Sequence, residues 1–167
     1  MSISFKGVFP YPPMFDGLAD ELAKLRSKLS EKFYKQGTDK YRGDREHEIS
    51  KRGILGELIA RDYLALRPIK FSAAPLVDVV PHPTADLVVN ECRDLIDVKT
   101  VKEDGPDFLV NHPAHNNKDK SCDYYWFVKL ERNFEASHYL ISSSDVDSWE
   151  IVKFTFTKAY RLKIPSL

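Results

Sequence analysis

The sequence predicts one soluble α/β domain, in which helices come first and a mixed sheet dominates the middle of the chain. Apolar residues recur at helical spacing up to about residue 66, and from residue 76 onward they form short runs of strand length. The chain has 167 residues, of which 43% are hydrophobic and 30% are charged, as in ordinary globular domains. We expect an arm and helix over residues 1–45, belonging to the same domain as a core over residues 46–167.

Composition also indicates where the protein acts. No run approaches the roughly 18 continuous apolar residues that a membrane span needs, and prolines interrupt the N-terminal segment before a signal-length run could form. Cys92 and Cys122 are too few for a disulfide scaffold and suit a reducing compartment. We therefore expect a cytoplasmic protein with no membrane partner and no organic cofactor.

Two helices are predicted after an irregular, proline-containing arm. The first runs from about Asp16 to Gln36, and the second runs from about His47 to Leu66, ending before Pro68. The expected core face of the first helix consists of five apolar side chains at helical spacing: Leu18, Leu22, Leu25, Leu29 and Phe33.

Strands are expected in the second half of the chain. The predicted strands are Leu76–Val80, Asp86–Val89, Asp94–Val98, Tyr124–Leu130, His138–Ile141 and a last one within Ile151–Leu162. Residues 102–121 are rich in amino acids that favour turns, and this composition predicts a long irregular connection. Ser142 is expected to begin a short helix. The aromatic run Tyr124–Leu130 is apolar enough for mid-sheet, which favours core packing over base stacking for its rings. His47, His82 and His138 are expected at the surface or as caps.

The hairpin of the second and third predicted strands brings three ionisable side chains together. With a two-residue loop at Glu91-Cys92, Asp86 lies opposite Asp97, and Lys99 shares a face with Asp97 because side chains alternate along a strand. A longer turn with a bulge would shift this register. Ile96 and Val98 point the other way, into a core, and the alternative interpretation is a solvated strand face of mixed charge.

Opposed carboxylates destabilise a strand pair unless a cation lies between them. Carboxylate oxygens suit magnesium, which keeps waters for the substrate and the nucleophile. Lys99 then supplies a positive charge where a phosphoryl group becomes negative, or orients the attacking water. In this sequence Asp97-Val98-Lys99 is the only place where a carboxylate precedes a lysine by two positions.

The second helix offers another carboxylate. Gly53, Glu57, Ala60 and Leu64 form a small, apolar stripe at helical spacing, so Glu57 is expected at a close helix–sheet interface. A lone buried glutamate is costly unless it is paired or binds a metal. The alternative is that Glu57 lies at the edge and reaches solvent.

Together these residues resemble the PD-(D/E)XK nuclease superfamily, the restriction-endonuclease-like fold. The resemblance rests on Gly56-Glu57, Asp86 and Asp97-Val98-Lys99, covers residues 53–130, and departs from the family pattern at Ala85, where the motif has proline. It implies an αβββαβ core and metal coordination by Asp86 and Asp97 with help from Glu57. Magnesium, or manganese in its place, is the implied cofactor, with Lys99 assisting the water and cleavage leaving 5′-phosphate and 3′-hydroxyl ends.

DNA is the expected partner, although the formal net charge is zero. From residue 24 to residue 45 there are eight basic and three acidic residues, which predicts a local positive surface or, alternatively, an ordinary solvated helix face. A His-Asn nuclease or a zinc site in the loop after residue 110 does not fit the spacing of its histidines. The candidate DNA-binding residues are Lys40, Arg42, Arg45, His112, His115, Asn116, Asn117 and Lys118.

The sequence thus predicts a magnesium-dependent DNA endonuclease, of the restriction type and acting as a homodimer, because one such site cuts one strand. The alternatives are a structure-specific nuclease of the same fold, such as a junction resolvase or repair enzyme, and a nucleic-acid-binding protein without catalysis.

Overall fold

The computed structural model describes residues 6–33, 45–77 and 85–164. Within these residues, a mixed sheet separates two apolar cores. Two long helices cover one face, and a small three-stranded sheet covers the other. The predicted α/β class is therefore confirmed. Side chains that alternate along a strand point to one core or to the other.

Helices lie close to their predicted positions. The four described helices are α1 (Met14–Phe33), α2 (Glu46–Ala65), α3 (His112–His115) and α4 (Ser143–Val146), with a 3-10 turn at Lys118–Lys120. Ser142 caps α4 as expected, since its hydroxyl accepts a hydrogen bond from Ser144 N. Neither of the two long helices has the uncharged apolar length that a bilayer crossing requires.

The expected core face of α1 is partly wrong. Ala19 and Ala23 are fully buried, whereas Leu18 and Leu25 are 41% and 46% exposed. Two small side chains let α1 approach its neighbours closely, and this turns the two leucines toward solvent. The end of the helix predicted at Gln36 lies outside the described residues.

The larger sheet has six strands in the order β1-β7-β6-β4-β3-β2, with β4 and β6 parallel and every other pair antiparallel. Its strands are β1 (Lys6–Pro10), β2 (Phe71–Ala73), β3 (Leu87–Val89), β4 (Asp94–Val101), β6 (Tyr124–Leu130) and β7 (Glu135–Ser142). The mid-sheet prediction for Tyr124–Leu130 is confirmed. Residues 6–10 form an edge strand rather than an irregular arm, because they pair with β7. Leu76 lies in a bend rather than a strand, and residues 78–80 lie outside the described ranges.

The smaller sheet was not predicted. It consists of β5 (Asp107–Asn111), β9 (Lys158–Lys163) and β8 (Glu150–Lys153), in the order β5-β9-β8. The prediction of an irregular connection over residues 102–121 is wrong, since Phe108 and Val110 alternate inward and are each 1% exposed. The predicted last strand is in fact a hairpin of two strands.

His138 corrects a further prediction. It was expected at the surface or as a cap, but it lies in the middle of β7 and is 1% exposed. Trp126 Nε1 donates a hydrogen bond to His138 Nδ1 at 3.1 Å. Burial, with a smaller contribution from Arg67, lowers the pKa of His138 to about 4, so the ring is neutral near pH 7. His82 lies outside the described residues.

Candidate active site

The β3–β4 hairpin has the register that the sequence predicted. Leu87 pairs with Ile96 and Val89 pairs with Asp94, so the next step along the strands sets Asp86 beside Asp97. The turn has four residues rather than two, closed by a hydrogen bond from Arg93 N to Val89 O at 2.7 Å. The longer turn adds one residue to each side of the expected loop, so it leaves the register unchanged.

Asp97 and Lys99 lie on the face of the sheet opposite the long helices. Along β4 they pair with Tyr125 and Phe127, which belong to the core under the small sheet. Lys99 Nζ is 2.8 Å from Asp97 Oδ1 and 2.7 Å from Oδ2. Both side chains are about one third exposed, at 36% for Lys99 and 30% for Asp97. A substrate in solvent can therefore reach this pair.

Asp86 is held by the backbone of the neighbouring strand. Its Oδ2 atom accepts a hydrogen bond from Val98 N at 2.7 Å, at a point where β3 no longer pairs with β4. Burial, followed by the negative charges of Asp97 and Glu57, raises the pKa of Asp86 to about 8. A carboxylate in this position is stabilised by a nearby cation.

Glu57 interacts electrostatically with Asp86 and Asp97, although α2 lies on the opposite face of the sheet, because α2 packs closely on β4. Gly56 makes this possible, since a Cβ atom there would lie 1.9 Å from Thr100 Oγ1. The Glu57 side chain is 12% exposed, and Arg61 Nη2 donates to its Oε2 atom at 3.2 Å. Burial raises the pKa of Glu57, against the opposing charges of Arg26 and Arg61. Glu57 is thus paired with Arg61 and largely buried, so the alternative that it lies at the edge and reaches solvent is wrong.

The electrostatics of Lys99 complement these acids. Burial lowers the pKa of Lys99, but Asp97 and Asp86 more than offset burial, so the pKa lies above its ordinary value. The lysine is therefore an ammonium ion at neutral pH. In this structure the ammonium group forms an ion pair with the Asp97 carboxylate.

The donor set fits a hard divalent cation that takes few protein ligands. In residues 6–33, 45–77 and 85–164, no three His, Cys, Asp or Glu side chains form a ready metal-binding group. Magnesium, however, usually binds through one or two carboxylates and keeps several waters. Asp97 on β4 and Asp86, one residue before β3, supply two neighbouring carboxylates, and burial together with the negative charges of Asp97 and Glu57 raises the pKa of Asp86.

A cavity of about 270 Å³ adjoins Lys99 at the edge of β4 that β3 leaves open. Its walls come from α2, β4, β5 and β6, and its lining includes Arg52, Lys99, Lys102, Asp107, Leu109 and Phe127. Lys102 is paired with Asp104 at 3.1 Å. Among the described residues, Arg52 makes no hydrogen bond or ion pair, although its charge acts on Asp104. The cavity therefore offers a partly apolar space with one cation available to an anion.

The loop predicted to bind DNA divides into inward and outward residues. His115 is 6% exposed, with Nδ1 2.8 Å from Tyr125 Oη and Nε2 3.0 Å from Asp147 Oδ1. It therefore fastens α3 to β6 instead of facing a phosphate. Asn116 donates to His112 O at 2.8 Å, and His112 stacks on Tyr160 with ring centroids 4.9 Å apart.

The other candidate DNA contacts are at the surface or outside the described ranges. Asn117 caps the 3-10 turn by accepting from Asp119 N, and its neighbour Lys118 is exposed. Arg45 is exposed at the start of α2. Lys40 and Arg42 lie outside the described residues. Of the predicted site residues, the structure brings together Asp86, Asp97 and Lys99, with Glu57 near enough for its charge to act on Asp86, and it leaves the DNA-binding candidates dispersed.

Sequence reasoning missed the basic residues around the carboxylates. Arg61 lies one helical turn after Glu57, a spacing that would have indicated the ion pair. Arg26 and Arg52 carried no such signal, because they reach the site only through the packing of α1 and α2.

No protein-family model matches the chain, and no curated protein matches it significantly. What the site can do is therefore argued from its geometry.

Proposed function

We propose that the protein is a magnesium-dependent DNA endonuclease with a restriction-endonuclease-like core. The observation that carries the proposal is the convergence of Asp97 and Lys99 on β4 with Asp86 just before β3, where burial and acidic neighbours raise the pKa of Asp86 to about 8. Carboxylates with strongly perturbed pKa values cluster at functional sites.

The order of elements supports the family resemblance. The helix α2 precedes three antiparallel strands, β2 to β4, and β6 then lies parallel to β4. This order follows the αβββαβ core that the resemblance implies. Between β4 and β6, the chain forms β5 and the short helix α3 in place of one long helix.

Each site residue has a role in this chemistry. Asp86 and Asp97 would hold magnesium, or manganese in its place, and Glu57 would support them from α2. Such an ion polarises a phosphodiester oxygen and lowers the pKa of a bound water. Lys99 places a fixed positive charge where the phosphoryl oxygens become negative, and it is oriented by Asp97 at 2.7 Å. Arg52 is positioned to bind a backbone phosphate in the adjoining cavity.

The sequence-based preference for a restriction-type enzyme remains part of the proposal, with a homodimer needed to cut both strands. A structure-specific nuclease is the second candidate, and the surface described in the next subsection favours it.

The test is incubation with supercoiled plasmid and with branched DNA, in magnesium or in EDTA. We expect cutting only in magnesium, and a loss of at least about 100-fold in rate for Asp97→Ala and for Lys99→Ala. Asp94→Ala and Lys70→Ala are matched controls, because Asp94 lies at the far end of β4 and Lys70 is exposed ahead of β2.

The outcomes separate the candidate functions. Discrete plasmid fragments would support restriction, and cutting limited to branched DNA would support a structure-specific nuclease. Undiminished cutting in both site variants would contradict the assignment of the site. If nothing is cut while wild type and Asp97→Ala bind DNA equally, a binding protein replaces the enzyme.

A further inference from the structure

The β8–β9 hairpin ends in a tip, Lys153–Lys158, that exposes aromatic rings. Phe154 N donates a hydrogen bond to Thr157 O at 2.8 Å, which closes a two-residue loop. The side chain of Phe154 is 51% exposed and that of Phe156 is 67% exposed. Phe154 in particular offers an exposed aromatic face at the end of this hairpin.

Two lysines flank these rings and face each other. Lys153 pairs directly with Lys158 across the hairpin, and both are exposed. Like charges directly opposed destabilise a strand pair. Among the described residues, neither lysine has an ion pair with a carboxylate. The arrangement is therefore unfavourable until an anion lies beside it.

The depression beside the tip is lined, among the described residues, by no aspartate or glutamate. It measures about 460 Å³ and is bounded by His112, Pro113, Lys153, Phe154, Phe156, Thr157 and Lys158. From the part of the chain that the structure describes, a ligand that fills it meets aromatic rings and positive charge but no carboxylate. Nucleic acids complement both features, since each base has a flat π face that can stack on an aromatic ring and each nucleotide has a negatively charged phosphate.

The tip is also connected to the candidate active site. Asn111 Nδ2 donates to Thr157 Oγ1 at 3.3 Å, which fastens the tip to the start of α3. At the other end of α3, His115 is bonded to Tyr125 Oη at 2.8 Å. The Tyr125 ring in turn lies 6.0 Å from Lys99 Nζ. The path of contacts from the tip to Lys99 therefore runs through α3 and the buried ring of Tyr125.

We propose that the hairpin tip binds unpaired nucleotides of the DNA, with Phe154 stacking on a base and with Lys153 and Lys158 on the flanking phosphates. This inference rests on the proposed nuclease function and names its substrate class: DNA with a single-stranded segment, such as a branch, flap or bulge. Bases within an intact duplex are already stacked, so an exposed ring gains most from an unpaired base.

The test measures binding in EDTA, so that catalysis does not enter. The probes are a fluorescein-labelled oligodeoxythymidine and a labelled duplex of equal length, followed by anisotropy over a range of salt concentrations. We expect Phe154→Ala to weaken single-strand binding about tenfold and Phe154→Trp to restore it. Phe134→Ala, which changes an exposed ring on another turn, is the matched control.

The lysines give an independent readout. Lys153→Gln and Lys158→Gln should each reduce the slope of log K against log salt by about 0.7 for the single strand. A purely structural role of these residues would leave the salt slope unchanged.

Three results would overturn the inference: equal single-strand affinity in Phe154→Ala, an unchanged salt slope in both lysine variants, or wild-type binding to vesicles of anionic phospholipid in place of DNA. If binding depends on the tip but the protein cuts nothing in magnesium, the proposed nuclease function is contradicted and the proposed role of the tip is not. If the protein cuts in magnesium and the tip variants bind normally, only the proposed role of the tip is contradicted.

Discussion

Asp86, Asp97 and Lys99 are each fixed by the backbone of the sheet. Asp86 accepts from Val98 N, and the other two share one face of β4. The two short carboxylate side chains are held close to the backbone, and the longer Lys99 side chain is held by its ion pair with Asp97. The sequence predicted this arrangement because alternation along β4 and the hairpin register follow from local pattern alone. The burial that raises the pKa of Asp86 depends on tertiary packing and could not be read from the sequence.

Arg52 allows substrate binding to be separated from chemistry. Arg52→Gln removes the cation that lacks a partner in the cavity beside Lys99, and we expect KM for DNA to rise about tenfold with kcat little changed. Lys51→Gln is the control, because the neighbouring Lys51 is paired with Asp16 at 3.0 Å. A fall in kcat without a change in KM would place Arg52 in the chemical step instead.

His138 makes the stability of the fold depend on pH. Its pKa is about 4 in the folded protein against 6.5 for an ordinary histidine, so the unfolded chain binds more protons between these values. The stability contributed by the neutral ring is present above about pH 6.5 and is lost as the pH falls toward 4. Between pH 7 and pH 5 we expect a loss of about 2 kcal/mol.

The measurement for His138 is urea unfolding of wild type and His138→Gln at both pH values. Glutamine can still accept from Trp126 but does not titrate, so the variant should lose less stability on acidification. The raised pKa of Asp86 acts in the opposite direction in both proteins, so the difference between them isolates His138. Equal pH dependence in the two proteins would refute the assignment.

At the scale of elements, the helix α2 and the strand β4 position the carboxylates against one another. Their separation is set by Gly56, whose missing side chain leaves room for Thr100. Gly56→Ala would place a Cβ atom within 3.2 Å of three Thr100 atoms, and we expect a loss of about 1–3 kcal/mol in the free energy of unfolding, with weaker cleavage.

Thr100→Ala should partly rescue Gly56→Ala, because it removes two of those three atoms. The buried Thr100 Oγ1 has no hydrogen-bond partner, so removing it costs little by itself. A double-mutant cycle in denaturant measures this coupling. Additive effects would mean that α2 does not rest on Thr100.

Elements were predicted well where the pattern is local and poorly where pairing is distant. The two long helices and the strand Tyr124–Leu130 were found from periodicity and length. The strand Asp107–Asn111 was missed because it has only two inward residues, Phe108 and Val110, between turn signals. Phe71–Ala73 is a strand only because β3 pairs with it, and no three-residue pattern indicates that.

At the scale of the whole molecule, the two faces of the larger sheet carry different groups of residues. The helical face forms the larger core, and the opposite face carries Asp97, Lys99 and, through α3, the hairpin tip. The helix α1 also presents Met14, Leu18 and Leu25 to solvent, at 72%, 41% and 46% exposed. We expect these side chains to contact a second copy when both DNA strands are cut.

Light scattering tests the expected dimer. On its DNA substrate, wild type should contribute twice the 19.2 kDa mass of the chain in addition to the mass of the DNA. The double variant Leu18→Asp, Leu25→Asp should be monomeric and should nick one strand without breaking both. A wild type that stays monomeric on and off DNA would count against the dimer.

The most direct test of the central claim is the single-turnover cleavage rate of a labelled branched DNA by wild type and by Asp97→Asn, in magnesium and in EDTA. The account predicts cleavage by wild type in magnesium alone, with 5′-phosphate and 3′-hydroxyl products, and a rate at least about 100-fold lower for Asp97→Asn. Equal rates for the two proteins, or wild-type cleavage that persists in EDTA, would contradict it.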